Sequence, residues 1–383
     1  MRVVMVSKAL VVGEYQRKLE ELGKLQGVEL TAIVPFGWRG RFDAAPLERV
    51  HTTGYEMVVA PTVLNGQHHL HFYPTIGRLL QRMRPDILHM DEEPYNFATW
   101  HALRAGEAVG ARCLFFSWQN LPRRYPWPFR HFERANYRRA AHAIAGNRAA
   151  ASVLRAKGFT GPLTVIPQFG IDPGAFSPSR DQRRADAATE PAKASEGVRE
   201  VVIGYAGRLV PEKGVDVLLR ACARLPFRGW SLRIMGDGPE RSHLAALADK
   251  LQIAAQISFL GRLPSAQAPD FYRGLCLLVL PSLSRSNWVE QFGRVLVEAM
   301  ACEIPVIGSA CGEIPTVIGD AGLVFPEGDA SALAESITML AEDPAYGAAL
   351  AARGRARALA HFTHEQIAAE TVRVYRQMLN GQG

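Results

Sequence analysis

Short apolar runs alternate with amphipathic stretches along most of this chain, and that rhythm restricts the fold more than any other feature. A strand buried on both faces reads as a continuous apolar run, and a helix between two such runs carries a single apolar stripe, so the pattern predicts βαβ units and parallel sheets. In the first half the runs fall at Val3 to Val6, Leu30 to Val34, Met57 to Ala60, Ile87 to Met90, Cys113 to Phe116, Ala143 to Ala145 and Leu163 to Ile166. The alternation resumes at Val201 and closes on a helix whose stripe is Ile367, Val372, Tyr375, Met378 and Leu379.

A chain of 383 residues exceeds what one hydrophobic core supports, which predicts two domains. From Pro178 to Gly197 charge, alanine, serine and proline dominate without periodicity, the composition of a polar linker or insertion. The expected division is therefore 1–177, a linker at 178–197, a second domain over 198–362 and a terminal helix over 363–383. Five scattered cysteines give neither a disulfide framework nor zinc spacing, which fits a reducing cytoplasm. The opening apolar run is too short for a signal peptide, and no stretch approaches the ~20 apolar residues of a membrane span. A soluble or peripheral protein is expected.

Two glutamates separated by seven residues, Glu290 and Glu298, bracket the stretch Gln-Phe-Gly-Arg-Val-Leu-Val. Helical spacing begins at Gly293, which puts Glu298 about two turns into a helix and Glu290 in the loop before it. At ~1.5 Å per residue the carboxylates stand roughly 12 Å apart, about the span from the ribose of a nucleotide diphosphate-sugar to its hexose. A diphosphate between them would meet the amides and positive dipole end of a helix start. A plain charge preference at a helix start also accounts for Glu290. Glu298 is harder to explain that way, because it stands among Val295, Val297, Ala299 and Met300, where an unpaired charge is costly.

Upstream, the run Val201-Val-Ile-Gly-Tyr-Ala206 breaks into Gly207-Arg-Leu-Val-Pro-Glu-Lys-Gly214. Gly207 lets the backbone approach a ligand, and Arg208 and Lys213 offer a planar fork and a point charge at a strand's carboxyl end, where open α/β sheets bind ligands. Alone, this would read as two solvated cations on a crossover loop.

Together the two motifs resemble glycosyltransferase family 4, the retaining sugar-nucleotide transferases of the GT-B fold. The resemblance is strongest over roughly 200–380. It includes Gly236-Asp-Gly-Pro239, Phe259-Leu-Gly-Arg262, Leu280-Pro-Ser282, Ile304-Pro-Val-Ile-Gly-Ser309 and Gly312-Glu-Ile-Pro315. It implies two Rossmann-like, doubly wound parallel-sheet domains facing a cleft, with the last helix crossing back to the first domain. It also implies hexosyl transfer from a nucleotide diphosphate-sugar to a glycan, lipid-linked or small-molecule acceptor, without a metal or other cofactor. In its terms Arg208 and Lys213 would neutralise the leaving diphosphate and Glu290 would hold the sugar hydroxyls. Glu298 would accept from the ribose, the amides of Phe292, Gly293 and Val295 would face sugar and phosphate, and Arg262 would lie near the base.

The first half follows the family less closely. Its first loop, Ser7 to Tyr15, has Gly13 alone where relatives have a glycine pair, and Gly13 would approach the donor phosphate. Gln119 stands where many relatives carry a histidine, and Glu303 where a glycine commonly ends the helix after Glu298. Asp91 and Glu93, in the run after Ile87 to Met90, are acceptor candidates with Gln119. The cluster His68-His69-Leu-His71 lacks neighbouring ligands at metal spacing and reads as a surface loop.

Between Pro122 and Arg139 six arginines face one carboxylate, interleaved with five aromatics. Such a segment suits an anionic membrane, placing the protein on its inner face, and equally suits a solvated basic helix whose aromatics pack inward. The net charge of +7 agrees with both. No nucleic-acid motif is present. A GT-B epimerase or phosphorylase and a non-catalytic sugar-nucleotide module remain alternatives; a dehydrogenase is disfavoured because Arg241 occupies the third glycine's place after Gly236-Asp-Gly238.

Overall fold

Strand β1 (Arg2–Val6) sends Val3 and Met5 to one side of its sheet and Val4 and Val6 to the other, and all four are buried. Burial on both faces is what a parallel sheet covered by helices requires. The computed structural model describes residues 1–40, 44–179 and 200–381. The chain divides into two units, Met1–Gly170 with His364–Gly383, and Ile171–Thr363.

In the first unit β1 is followed by β2 (Glu29–Pro35), a short antiparallel pair β3 (Gly37–Arg39) and β4 (Ala44–Pro46), then β5 (Glu56–Ala60), β6 (Ile87–Met90), β7 (Arg112–Ser117), β8 (His142–Ala145) and β9 (Leu163–Val165). The sheet runs β5-β2-β1-β6-β7-β8-β9, every pairing parallel. Strand order reverses between β1 and β6, so their carboxyl ends form the crevice in which doubly wound sheets bind ligands. Helix His364–Asn380 belongs to this unit, burying Ile367, Val372, Tyr375 and Met378 with Met5, Leu19 and Leu22. Leu379, expected on the same stripe, is exposed at the helix end.

The second unit holds β10 (Val201–Ala206), β11 (Trp230–Met235), β12 (Ile257–Gly261), β13 (Leu277–Leu280), β14 (Val306–Ser309) and β15 (Leu323–Phe325), all parallel in the order β12-β11-β10-β13-β14-β15. That is the dinucleotide-fold order, with its switch point between β10 and β13. The first unit ends at Gly170 rather than at 177. Ile171 and Phe176 are buried in the second unit's core, and the Ile171 amide donates to Phe362 O. Of the polar stretch 178–197, the part from 180 onward lies outside the described residues.

Candidate active site

At the switch point of the second unit, loops after β10, β11 and β13 press together because glycines allow it. A Cβ on Gly236 would lie 1.8 Å from Gly207 O, and one on Gly214 would lie 2.1 Å from Pro281 O. Gly207 and Gly236 hold φ near +150° and +145°, values closed to most side chains. Tyr205 Oη donates to Arg208 O at 3.0 Å, and Leu283 N donates to Glu212 O at 2.8 Å, which ties the first loop to the third.

This nesting sets Lys213, at the end of the turn Pro211–Lys213, against Glu290. Lys213 Nζ lies 2.5 Å from Glu290 Oε2, and Ser282 Oγ donates to the same oxygen at 2.9 Å. The Lys213 ammonium also sits 5.0 Å from the centre of the Trp288 ring. Glu290 is buried, and its backbone carbonyl accepts from the Glu313 amide at 3.1 Å. A buried carboxylate so held is a fixed acceptor with little rotameric freedom left to lose when a hydroxyl binds.

Helix Arg294–Ala301 starts after Gly293, whose φ of +75° makes the turn from the Glu290 loop. No side chain caps this helix, so the first-turn amides, Val295 among them, form a donor surface at the positive dipole end. Glu298, one turn beyond Arg294, accepts from Tyr272 Oη at 2.6 Å through Oε2 and pairs with Arg294 Nε at 2.8 Å through Oε1. Tyr272 is fully buried, and burial together with Glu298 holds its hydroxyl protonated far above the usual tyrosine range. Phe292 packs edge-on against Phe362. Arg208 is exposed and makes no ion pair among the described residues, and Arg262 is exposed beyond β12.

The first unit places its expected residues differently. The Gly13 amide donates to Glu48 Oε2 at 2.6 Å, and a Cβ there would meet Val50 at 2.3 Å. Its N–H is therefore spent on a carboxylate, and packing accounts for the glycine. Asp91, expected near the acceptor, has a fully buried side chain engaged by Lys18 and by Gln168 Nε2 at 3.0 Å. Burial, only partly countered by Asp91, lowers the Lys18 pKa. Gln119, the third residue expected near the acceptor, is also engaged within the first unit. Its amide oxygen accepts from Lys157 at 3.2 Å and its nitrogen donates to Leu121 O at 3.2 Å, so both ends pin the loop after β7.

Glu93 accepts from Ser117 Oγ and from the Trp118 amide, each at 2.7 Å, yet burial raises its carboxyl to about 7. Neighbouring Glu92 goes the other way. Burial pushes it up, but Lys8 and His71 outweigh that and hold it well below the usual carboxylate range. His71 thus contacts the buried Glu92 carboxylate at 3.3 Å, whereas His68 and His69 are exposed. Sequence reasoning missed Tyr272, Arg294, Trp288 and Glu48 as partners. Of these only Arg294, four residues before Glu298 on a helix, left a local signal.

A family model described as Glycosyl transferases group 1 matches residues 186–357, and one described as Glycosyl transferase 4-like domain matches residues 12–168. D-inositol 3-phosphate glycosyltransferase of Rhodococcus opacus (strain B4) is 34% identical over 229 residues, 55% of this chain and 50% of that protein. The protein of the same name from Mycobacterium tuberculosis (strain F11) is 37% identical over 157 residues, 39% of this chain and 30% of that protein. The match thus spans half the length of these curated relatives or less. Among solved structures, sucrose-phosphate synthase from Thermosynechococcus elongatus superposes with a TM-score of 0.72 at 21% identity, covering 100% of both chains. HepE of Anabaena in complex with UDP gives 0.74 at 19% identity, covering 98% of this chain and 100% of that one. Two doubly wound units with these neighbours define the GT-B fold. The second half of the chain is similar to the group 1 glycosyltransferases and the first half to the glycosyl transferase 4-like domain, each model matching less than half of the chain.

Proposed function

We propose that this protein transfers a hexosyl group from a nucleotide diphosphate-sugar to an acceptor hydroxyl with retention of configuration, using no metal. The observation that carries the reading is the contact of Lys213 and Ser282 with Glu290 at the switch point of the second sheet, ahead of the helix that bears Glu298. Breaking the sugar–phosphate bond builds negative charge on the diphosphate and positive charge on the ring. Arg208 and Lys213 meet the first, lowering the barrier as a preorganised charge does. Glu290 accepts from the sugar hydroxyls and Glu298 from the ribose, while the Phe292, Gly293 and Val295 amides face the phosphates and Arg262 the base. The acceptor hydroxyl attacks from the side the diphosphate leaves, and the departing phosphate oxygen takes its proton.

The donor's nucleotide and sugar are open to assay, and the UDP bound in the HepE structure makes UDP-sugars the first to test. The relatives' names make a phosphorylated polyol one small-molecule acceptor to try. A lipid-linked or cell-envelope glycan is another, and it would bring the enzyme to the inner face of a membrane as a peripheral protein. No helix among the described residues is long and apolar enough to cross a membrane. The test is acceptor-dependent release of nucleoside diphosphate with anomeric analysis of the product. Near-normal turnover in Arg208→Ala, Lys213→Ala and Glu298→Ala alike would remove the site assignment, and donor turnover without acceptor would replace transfer by epimerisation or phosphorolysis.

A further inference from the structure

Helix Phe129–Arg139 is built with two unlike faces. Inward, Phe132 packs on Phe97 and Trp100, Asn136 donates to Pro94 O at 2.7 Å, and the helix's one carboxylate, Glu133, is buried against Lys157. Outward, Arg130, Arg134 and Arg138 recur every four residues, all exposed, and none makes an ion pair among the described residues. At 100° per residue they occupy one narrow sector, joined by exposed His131 and free of any acid. Such a stripe gains nothing for the fold, since like charges one turn apart repel.

The segment leading into this helix adds an apolar element. Trp127 is 79% exposed, the most exposed large hydrophobic residue described, and Arg124 beside it is exposed as well. The loop carrying Leu70, itself 40% exposed, reaches the helix start, where the His69 ring lies 5.4 Å from Phe129. Indole and leucine beside an all-cationic stripe match the two layers of a lipid headgroup region: acyl boundary for the rings, phosphates for the guanidiniums. A soluble polyanion would use the arginines and leave Leu70 and the indole without purpose.

We propose that this face, Trp127 with Arg130, Arg134 and Arg138, docks the protein on an anionic lipid bilayer. The inference goes beyond the transferase reading and stands without it, because binding is measured with no donor or acceptor present. Flotation of the whole chain is compared on vesicles of phosphatidylcholine alone and of phosphatidylcholine mixed with phosphatidylglycerol, with a mixed-sequence oligonucleotide and inorganic phosphate as soluble controls. Binding to the mixed vesicles alone is expected. The triple variant Arg130→Gln, Arg134→Gln, Arg138→Gln should lose it about a hundredfold, since each cation near the surface contributes ~1 kcal/mol. Trp127→Ala should weaken it while leaving salt dependence unchanged. All these positions are exposed, so an unaltered melting profile accompanies the loss. Equal flotation of wild type and triple variant overturns the proposal, as does arginine-dependent binding to the oligonucleotide that Trp127→Ala does not touch, which would make the face a nucleic-acid surface.

Discussion

Lys213 Nζ lies 2.5 Å from Glu290 Oε2, although the two residues stand on different loops at opposite sides of a strand-order reversal. The contact joins the cation proposed for the leaving group to the acceptor proposed for the sugar, so each holds the other in place before a ligand arrives. Preorganisation of this kind is where electrostatic catalysis gets most of its effect.

Replacing Lys213 therefore removes both a charge and a positioning contact. Lys213→Met is expected to lower kcat by about two to three orders of magnitude. Lys213→Arg should recover little, because a planar fork cannot take the place of a point charge bonded to one oxygen beside Trp288. Steady-state rates with donor binding measured separately check this, and a variant with kcat near wild type would show that the charge is dispensable.

Tyr272 reaches Glu298 from the neighbouring helix Ala268–Arg273, and among the described residues its hydroxyl bonds to Glu298 alone. A bond to a charged group contributes ~1.5 to 3 kcal/mol. With Tyr272→Phe, Glu298 loses the hydroxyl that holds its Oε2 and swings toward Arg294, away from the geometry required for a ribose diol. The expected result is a donor KM raised roughly tenfold or more with kcat nearly kept. A fall in kcat at unchanged KM would place the Tyr272 hydroxyl in a different role.

Much of this architecture is legible in the chain because strands buried on both faces announce themselves. Leu277–Leu280 is an unbroken apolar run, Ile87–Met90 is interrupted only by His89, and every residue in both is buried. That Lys213 and Glu290 share a neighbourhood follows from loops converging at neighbouring strand ends, whereas their direct contact is not readable in the sequence. Longer-range partnerships were not readable. Glu48 reaches Gly13 only because the polypeptide doubles back through the β3–β4 pair, and nothing around Glu48 marks it as a partner for an amide. Asp91 and Glu93 look alike in sequence, yet one faces Lys18 and the other a hydroxyl and an amide. Neighbours distant along the chain, not the local sequence, decide what each carboxyl bonds to.

Glu303 departs from the family's glycine at the end of helix Arg294–Ala301, and its φ of +62° is the left-handed value that glycine adopts without strain. Its amide still closes the helix on Met300 O at 3.0 Å. A side chain there costs ~1 to 2 kcal/mol, part of which glycine returns through unfolded-state entropy. Glu303→Gly should therefore raise stability by roughly 0.5 to 1 kcal/mol, read as a higher midpoint in denaturant with unchanged slope. A lowered midpoint would mean that the side chain has a compensating role.

Glu93 gives the fold a pH dependence of definite sign. In the unfolded chain its carboxyl ionises near the ordinary value of 4.5, whereas in the folded protein burial holds it protonated up to about 7. Between those limits the unfolded state binds fewer protons, so rising pH favours unfolding; the stabilisation is complete below 4.5 and lost by 7. Its size is at most about 3 kcal/mol. His89 works in the opposite direction, because burial lowers it to about 3 and acid favours the unfolded chain, which takes up its proton near 6.5. Comparison with Glu93→Gln separates the two, since His89 is common to both proteins. Wild type should lose stability relative to Glu93→Gln as pH rises from about 5 to about 8, followed by denaturant melts at each pH. Parallel curves for the two proteins across that interval would show that Glu93 is ionised throughout and that its buried bonds to Ser117 and Trp118 hold a charge after all.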